Sequence, residues 1–229
     1  MMQRKNIFTY IIILAISLLA VPVEIQAQKR KQPHVEEPDT TPWLHGVAVS
    51  VDLVGPIQRM VSDYGQYEAA LRLNLKDRYF PIVEIGVGSA DYEDDVTRII
   101  YKTKAPFGRL GADVNILKNK HDKYRLYIGG RYAFTSFKYD LSSPGISDPY
   151  YGGNAVWGAK DAKGSQHWIE AVAGVDATIV GCLHLGWSVR YRGRITQKSD
   201  DIGEAWYVPG FGKSGSSRIG ATFNIILDI

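Results

Sequence analysis

The segment Leu183-His184-Leu185-Gly186-Trp187-Ser188-Val189-Arg190-Tyr191-Arg192-Gly193-Arg194-Ile195 places an apolar, aromatic or small side chain at every odd position. Nearly every even position is polar or glycine. Alternation with period two is the signature of a β-strand whose two faces meet different surroundings. The pattern recurs in about eight segments: His45 to Val54, Tyr67 to Lys76, Tyr79 to Gly88, Phe107 to Leu117, Tyr124 to Phe137, Trp168 to Val180, Leu183 to Thr196 and Ser217 to Ile229. Strands of about ten residues, at ~3.3 Å each and tilted ~45°, rise roughly 23 Å, close to the ~25 Å apolar band of a membrane barrel. The expected fold is all-β, a closed antiparallel up-and-down transmembrane β-barrel of about eight strands with a lumen filled by polar side chains.

The connections support that reading. Gly55 to Gln66, Ser89 to Pro106, Lys138 to His167 and Gln197 to Ser216 are long, while Asp77-Arg78, Lys118 to Lys123 and Gly181-Cys182 are short. Outer-membrane barrels have short turns at the periplasmic end, where both termini lie, and longer loops outside. Pro56 to Tyr64 has the makings of a helical turn within the first long connection.

The apolar face includes Val49, Leu71, Ile85, Leu110, Ile128, Val175, Val189 and Ile225, and no charge interrupts it. The opposite face carries Asp52, Glu68, Arg72, Glu84, Arg109, Asp113, Arg125, Arg131, Glu170, Asp176, Arg190, Arg192, Arg194 and Arg218, interleaved with glycine. Glycine weakens a solvent-facing strand, whereas an enclosed lumen needs small residues beside large ones and guanidinium forks that satisfy several carboxylates. The polar face is therefore expected inside, as a charge network plugging a bore too narrow for anything but side chains. Arg190, Arg192 and Arg194 are expected to form a ladder reaching Asp176 or Glu170 on the preceding strand and Asp52 after closure. The competing arrangement is a soluble barrel with its apolar face inward.

At the N-terminus, Arg4 and Lys5 precede the apolar run Ile7 to Val21 and then Glu24-Ile25-Gln26-Ala27. This is the pattern of a secretory signal peptide, residues 1–27, cleaved after Ala27. Residues 28–44, with Lys29-Arg30-Lys31, are expected as a periplasmic linker, and 45–229 as the barrel domain. The basic triplet is too short to argue for nucleic acid. Cys182, the sole cysteine, cannot form a disulfide within the chain. Trp43, Tyr64, Tyr67, Tyr79, Phe107, Tyr124, Phe134, Trp206 and Tyr207 suit aromatic girdles at the membrane interfaces.

The segments His45-Gly46-Val47-Ala48-Val49-Ser50-Val51-Asp52 and Trp206-Tyr207-Val208-Pro209-Gly210-Phe211-Gly212 resemble the small eight-stranded outer-membrane barrels. More particularly they resemble a Bacteroidota outer-membrane barrel family known as a domain of unknown function. The resemblance implies fold and envelope location and brings no catalytic residues.

No cofactor or metal is expected. His167, near Ser165 and Asp161, is the one candidate general base for a lipid hydrolase or acyltransferase at the rim. Asp91, Glu93, Asp94 and Asp95 form an acidic loop that lacks the glycine and terminal glutamate of a dedicated calcium loop. The expected role is a non-enzymatic anchor or scaffold in the outer membrane of a Gram-negative bacterium. Its partners would be membrane lipids and an envelope lipoprotein or membrane protein, docked through Tyr150, Tyr151 and Trp157. A narrow solute channel and the rim enzyme are the alternatives.

Overall fold

The computed structural model describes residues 42–119, 122–148, 153–200 and 204–229. The expected signal peptide, the expected linker up to residue 41, and Tyr150 and Tyr151 lie outside the described residues. Eight strands form an antiparallel ring. They are β1 (Gly46–Asp52), β2 (Tyr64–Asn74), β3 (Tyr79–Glu93), β4 (Ile100–Asn115), β5 (Tyr124–Ser142), β8 (Gly158–Val180), β9 (Leu183–Ser199) and β12 (Ser217–Asp228). Each pairs with its neighbour in sequence, and β1 pairs with β12 to close the ring. Two small hairpins, β6 (Ile146–Asp148) with β7 (Gly153–Ala155) and β10 (Tyr207–Val208) with β11 (Gly212–Lys213), sit within the long connections.

The apolar face points outward. Ile85 is 65% exposed, Ile128 52% and Val189 56%, while Arg109, Glu84 and Asp113 are at most 1% exposed. The inverted arrangement is thereby ruled out for this fold.

The strands outrun the expected ten residues: β5 has 19 and β8 has 23. Much of what composition suggested as loop between Ser89 and Pro106 and between Lys138 and His167 is strand, with Lys102 and Lys104 on its outer face. Alternation continues there, but its outward member changes from apolar to charged: on β4 Leu110 gives way through Pro106 to Lys104 and Lys102. The long strands therefore project beyond the apolar belt at the end that carries the longer connections.

At the opposite end the turns are tight. Lys76 and Asp77 both adopt positive φ, 55° and 52°, as the central residues of a type I′ turn do, in a three-residue loop closed by the Leu75–Tyr79 pair. Asp77 is fixed there by its own N–H donating to Asn74 Oδ1 at 2.9 Å, and its carboxylate meets His45 Nδ1 at 2.8 Å. Cys182, exposed, occupies the β8–β9 turn.

Between β1 and β2 the chain forms a helix, α1 (Val54–Val61), where the sequence hinted at a turn. Asp52 accepts the N–H groups of Val54 at 3.1 Å and Gly55 at 2.8 Å, satisfying two of the donors a helix start leaves bare. Ser62 ends the helix, its Oγ donating to Gln58 O at 2.7 Å.

Candidate functional site in the barrel lumen

The lumen has two storeys. Near the middle lies an ionic cluster built from inward positions on six strands. Arg131 of β5 grips Asp113 of β4 with both terminal nitrogens at 2.8 Å, and its Nε reaches Glu84 of β3 at 3.1 Å. Arg109 of β4 donates to Glu68 of β2 and to Glu84, and its Nε lies 2.9 Å from Glu170 of β8. Arg190 of β9 crosses to Glu84 at 2.7 Å and to Glu68 at 3.1 Å. Arg72 of β2 pairs with Asp176 of β8, and Arg192 of β9 sits 3.4 Å from Glu170. Five arginines thus meet five carboxylates, all on residues no more than 8% exposed. Balance is the condition for such burial, because an unpaired ion in that setting costs several kcal/mol.

The expected arginine ladder forms only in part. Glu170 does meet Arg192 and Arg190 of β9, at 3.4 and 3.7 Å, but Asp176 serves Arg72 across the bore, and Arg190 also reaches carboxylates of β2 and β3. In an eight-stranded ring the opposite wall is within reach of an extended arginine, so partners are chosen across the lumen. Asp52 meets no arginine among the described residues: besides capping α1 it accepts Phe223 N–H at 3.1 Å. Arg194, part exposed, pairs with Glu204 at 3.5 Å and with Gln197. Arg218 is exposed and donates to the carbonyls of Lys213 and Ser214, each at 2.9 Å. Arg125 lies at the turn end, 3.1 Å from Asp228, which also meets His184 Nε2 at 2.9 Å.

Above the cluster the bore is aromatic. Phe107, Phe137, Tyr101, Tyr139 and Trp168 point inward and enclose the β10–β11 hairpin, whose Tyr207, Val208 and Phe211 are at most 1% exposed. The connection from β9 to β12 therefore folds back into the barrel as a plug. Tyr101 donates to Tyr207 O at 2.7 Å, and Tyr207 donates to Gly65 O at 3.2 Å. The plug also seals the ionic cluster from above: Arg109 Nη2 donates to Gly210 O and Arg192 Nη1 to Phe211 O, both at 2.9 Å. Gly210 has φ 82°, and a Cβ there would lie 2.5 Å from the Phe107 ring, so only glycine fits.

This corrects part of the girdle assignment. Trp43, Tyr67, Tyr79, Tyr124 and Phe134 are exposed on the outer surface. Phe107 and Tyr207 are interior, and Trp206 stacks on Tyr92 at 4.0 Å while Tyr64 packs on both plug aromatics. An apolar triplet inside a connection, Tyr207-Val208 and Phe211 around Pro209-Gly210, was the signal that this loop buries itself.

The remaining candidates are dispersed. His167 faces outward, its Nδ1 2.8 Å from the Tyr132 hydroxyl, while Asp161 pairs with Lys138 at 3.0 Å. In the acidic connection Asp91 pairs with Lys102 and Glu93 with Arg98. Asp94 accepts the N–H groups of Val96 and Thr97 and the Thr97 hydroxyl, which hold its carboxyl below the usual range. Trp157 is 44% exposed at the loop end. Among the described residues no group of three His, Cys, Asp or Glu side chains is arranged for a metal ion.

The family model described as a domain of unknown function, DUF6048, matches residues 7–228. The chain belongs to this DUF6048 family. None of the curated proteins matches it. Among solved structures, a major outer membrane protein from Thermus thermophilus is similar, with 13% identity and a TM-score of 0.42 over 80% of this chain and 98% of that one. The DUF6048 barrel thus offers a belt of exposed apolar side chains around a plugged, charge-balanced interior.

Proposed function

We propose that this DUF6048 chain is an integral outer-membrane barrel without catalytic activity, a structural anchor that holds its longer connections at the cell surface for envelope partners. The observation that carries the reading is the pairing of an uncharged outer belt with a closed interior. On β5 the outward residues from Tyr124 to Phe134 are Tyr, Leu, Ile, Gly, Tyr and Phe, followed by Ser136 and Lys138. Ten steps at ~3.3 Å and ~45° tilt give roughly 23 Å, the depth of a bilayer's hydrocarbon band. The start of β1, the end of β12 and the tightest turns lie at one end, matching the periplasmic side of such barrels.

The plug and the ion pairs beneath it favour an anchor over a channel. The void among the central charged residues is ≈ 10 Å³, about one water. In-membrane crosslinking with mass spectrometry tests the role: a defined envelope protein is expected, with its yield reduced in Trp157→Ala. Steady conductance of the wild-type barrel in a planar bilayer would move the assignment to a channel. Lipid turnover abolished by His167→Ala would move it to an enzyme.

A further inference from the structure

Above Asn224 the ring is incomplete on one side. β12 stays paired with β9 up to Ser217, whereas its pairing with β1 stops at Asn224 because β1 ends at Asp52 and the chain turns into α1. A single backbone bond, Leu53 N–H to Phe223 O at 2.9 Å, closes the foot of the seam. α1 leans away from it onto β2, where a Cβ on Gly65 would lie 2.5 Å from Arg59 Cβ and 2.7 Å from its Cα. Between α1 and the upper half of β12 a cavity of ≈ 330 Å³ remains.

Three cations line that cavity: Arg192, Lys213 and Arg218. The Arg192 side chain is 10% exposed, its Nε has no hydrogen-bond partner, and its nearest carboxylate, Glu170, is shared with Arg109 and Arg190. Arg218 holds only backbone carbonyls, and Lys213 Nζ lies over the Tyr64 and Trp206 rings at 5.4 and 4.9 Å. Neither meets a carboxylate among the described residues. Asp52 also lines the cavity, but its oxygens already accept three backbone N–H groups.

We propose that this cavity binds the phosphate headgroup of an anionic membrane lipid, which reaches it sideways between α1 and β12. The inference rests on the bilayer placement proposed above. Guanidinium forks match phosphate oxygens, and a strand edge at membrane depth requires polar matter beside it, since hydrocarbon cannot satisfy its N–H and C=O groups. The mouth is apolar where Ile219, 76% exposed, Ala221 and Val54 line it. Cations within and hydrocarbon-compatible side chains at the mouth fit an amphiphile better than a soluble anion. At ~30 Å³ per water the space holds about ten waters, room for a glycerophosphate group.

The test is native mass spectrometry of the full chain purified from membranes in mild detergent, with dioleoylphosphatidylglycerol, dioleoylphosphatidylcholine and sodium phosphate as probes. Phosphatidylglycerol is expected to be retained about tenfold more tightly than phosphatidylcholine. Lys213→Gln combined with Arg218→Gln should abolish the preference; both side chains are exposed, so the fold should survive. Ala221→Trp, at the mouth, should weaken lipid retention in a barrel that still migrates as folded on unheated gels. Absence of preference in the folded wild type, or its survival in the double variant, overturns the inference. Equal displacement of the lipid by sodium phosphate overturns it too, in favour of a free anion. A chain that never enters the membrane fraction brings down the bilayer placement first, a separate result.

Discussion

Glu84 accepts from Arg109, Arg131 and Arg190, more arginines than any other carboxylate in the cluster accepts from by hydrogen bonds. Glu84→Gln removes the charge they share and leaves buried guanidinium groups undercompensated. Its cost should be ~3 to 5 kcal/mol, read by denaturant unfolding in micelles. Arg218→Gln should change stability by less than about 1 kcal/mol, because that side chain is exposed and meets no carboxylate among the described residues. A large loss at Arg218 with none at Glu84 would reverse the assignment of the core. Asp94 supplies a local pH effect. Its depressed pKa means that its stabilisation of the β3–β4 connection is fully present above the ordinary carboxylate value of ~3.9 and is lost as pH falls through the lowered folded value. The protection of the Val96 and Thr97 amides, as exchange relative to the intrinsic rate at each pH, should fall in that acid window and hold steady above it.

The β10–β11 hairpin is short, two residues a strand, and draws its order from the walls around it. Gly210→Ala forces a strained φ and a collision with Phe107, so the plug should leave the bore while the ring persists. Limited proteolysis should then cut between Ala205 and Lys213, with folded gel migration retained. Single-channel recording should still show no steady conductance, because the ion pairs beneath the plug continue to fill the bore. An intact, protease-resistant hairpin in Gly210→Ala would show that the plug does not depend on this close approach. Phe211, fully buried against Trp168 at 5.7 Å, should cost ~3 to 5 kcal/mol on truncation to alanine.

Across the ring, depth governs what the outer surface tolerates. Ile128 and Ser136 both face outward on β5, the first within the apolar belt and the second just above it. Ile128→Arg should destabilise the barrel in bilayers by ~2 to 4 kcal/mol and Ser136→Arg by ~0 to 1. Equal costs at both depths, measured by reversible folding into vesicles, would argue against a bilayer around this belt. The ring itself depends on a far-reaching join, since β1 meets β12 only after all other strands exist in sequence. Closure therefore fixes which inward charges face one another.

Period-two alternation is a property of a single strand, so the residues alone determined eight strands and their two faces, but not the lengths of the connections: Asp94 to Ile99, between β3 and β4, is shorter than Ile116 to Lys123, between β4 and β5. Leu183 to Ile195 carries that information without reference to anything else in the chain. Strand ends were less legible, because above the belt the outward residues turn polar and the contrast between faces fades, as at Lys102 and Lys104. Partnerships such as Arg72 with Asp176, or Arg190 with Glu68 and Glu84, were decided only by closure, which sets the distance across the bore. The inward fold of Tyr207 to Phe211 was decided there too: an apolar loop must bury itself, but only a finished barrel supplies the pocket.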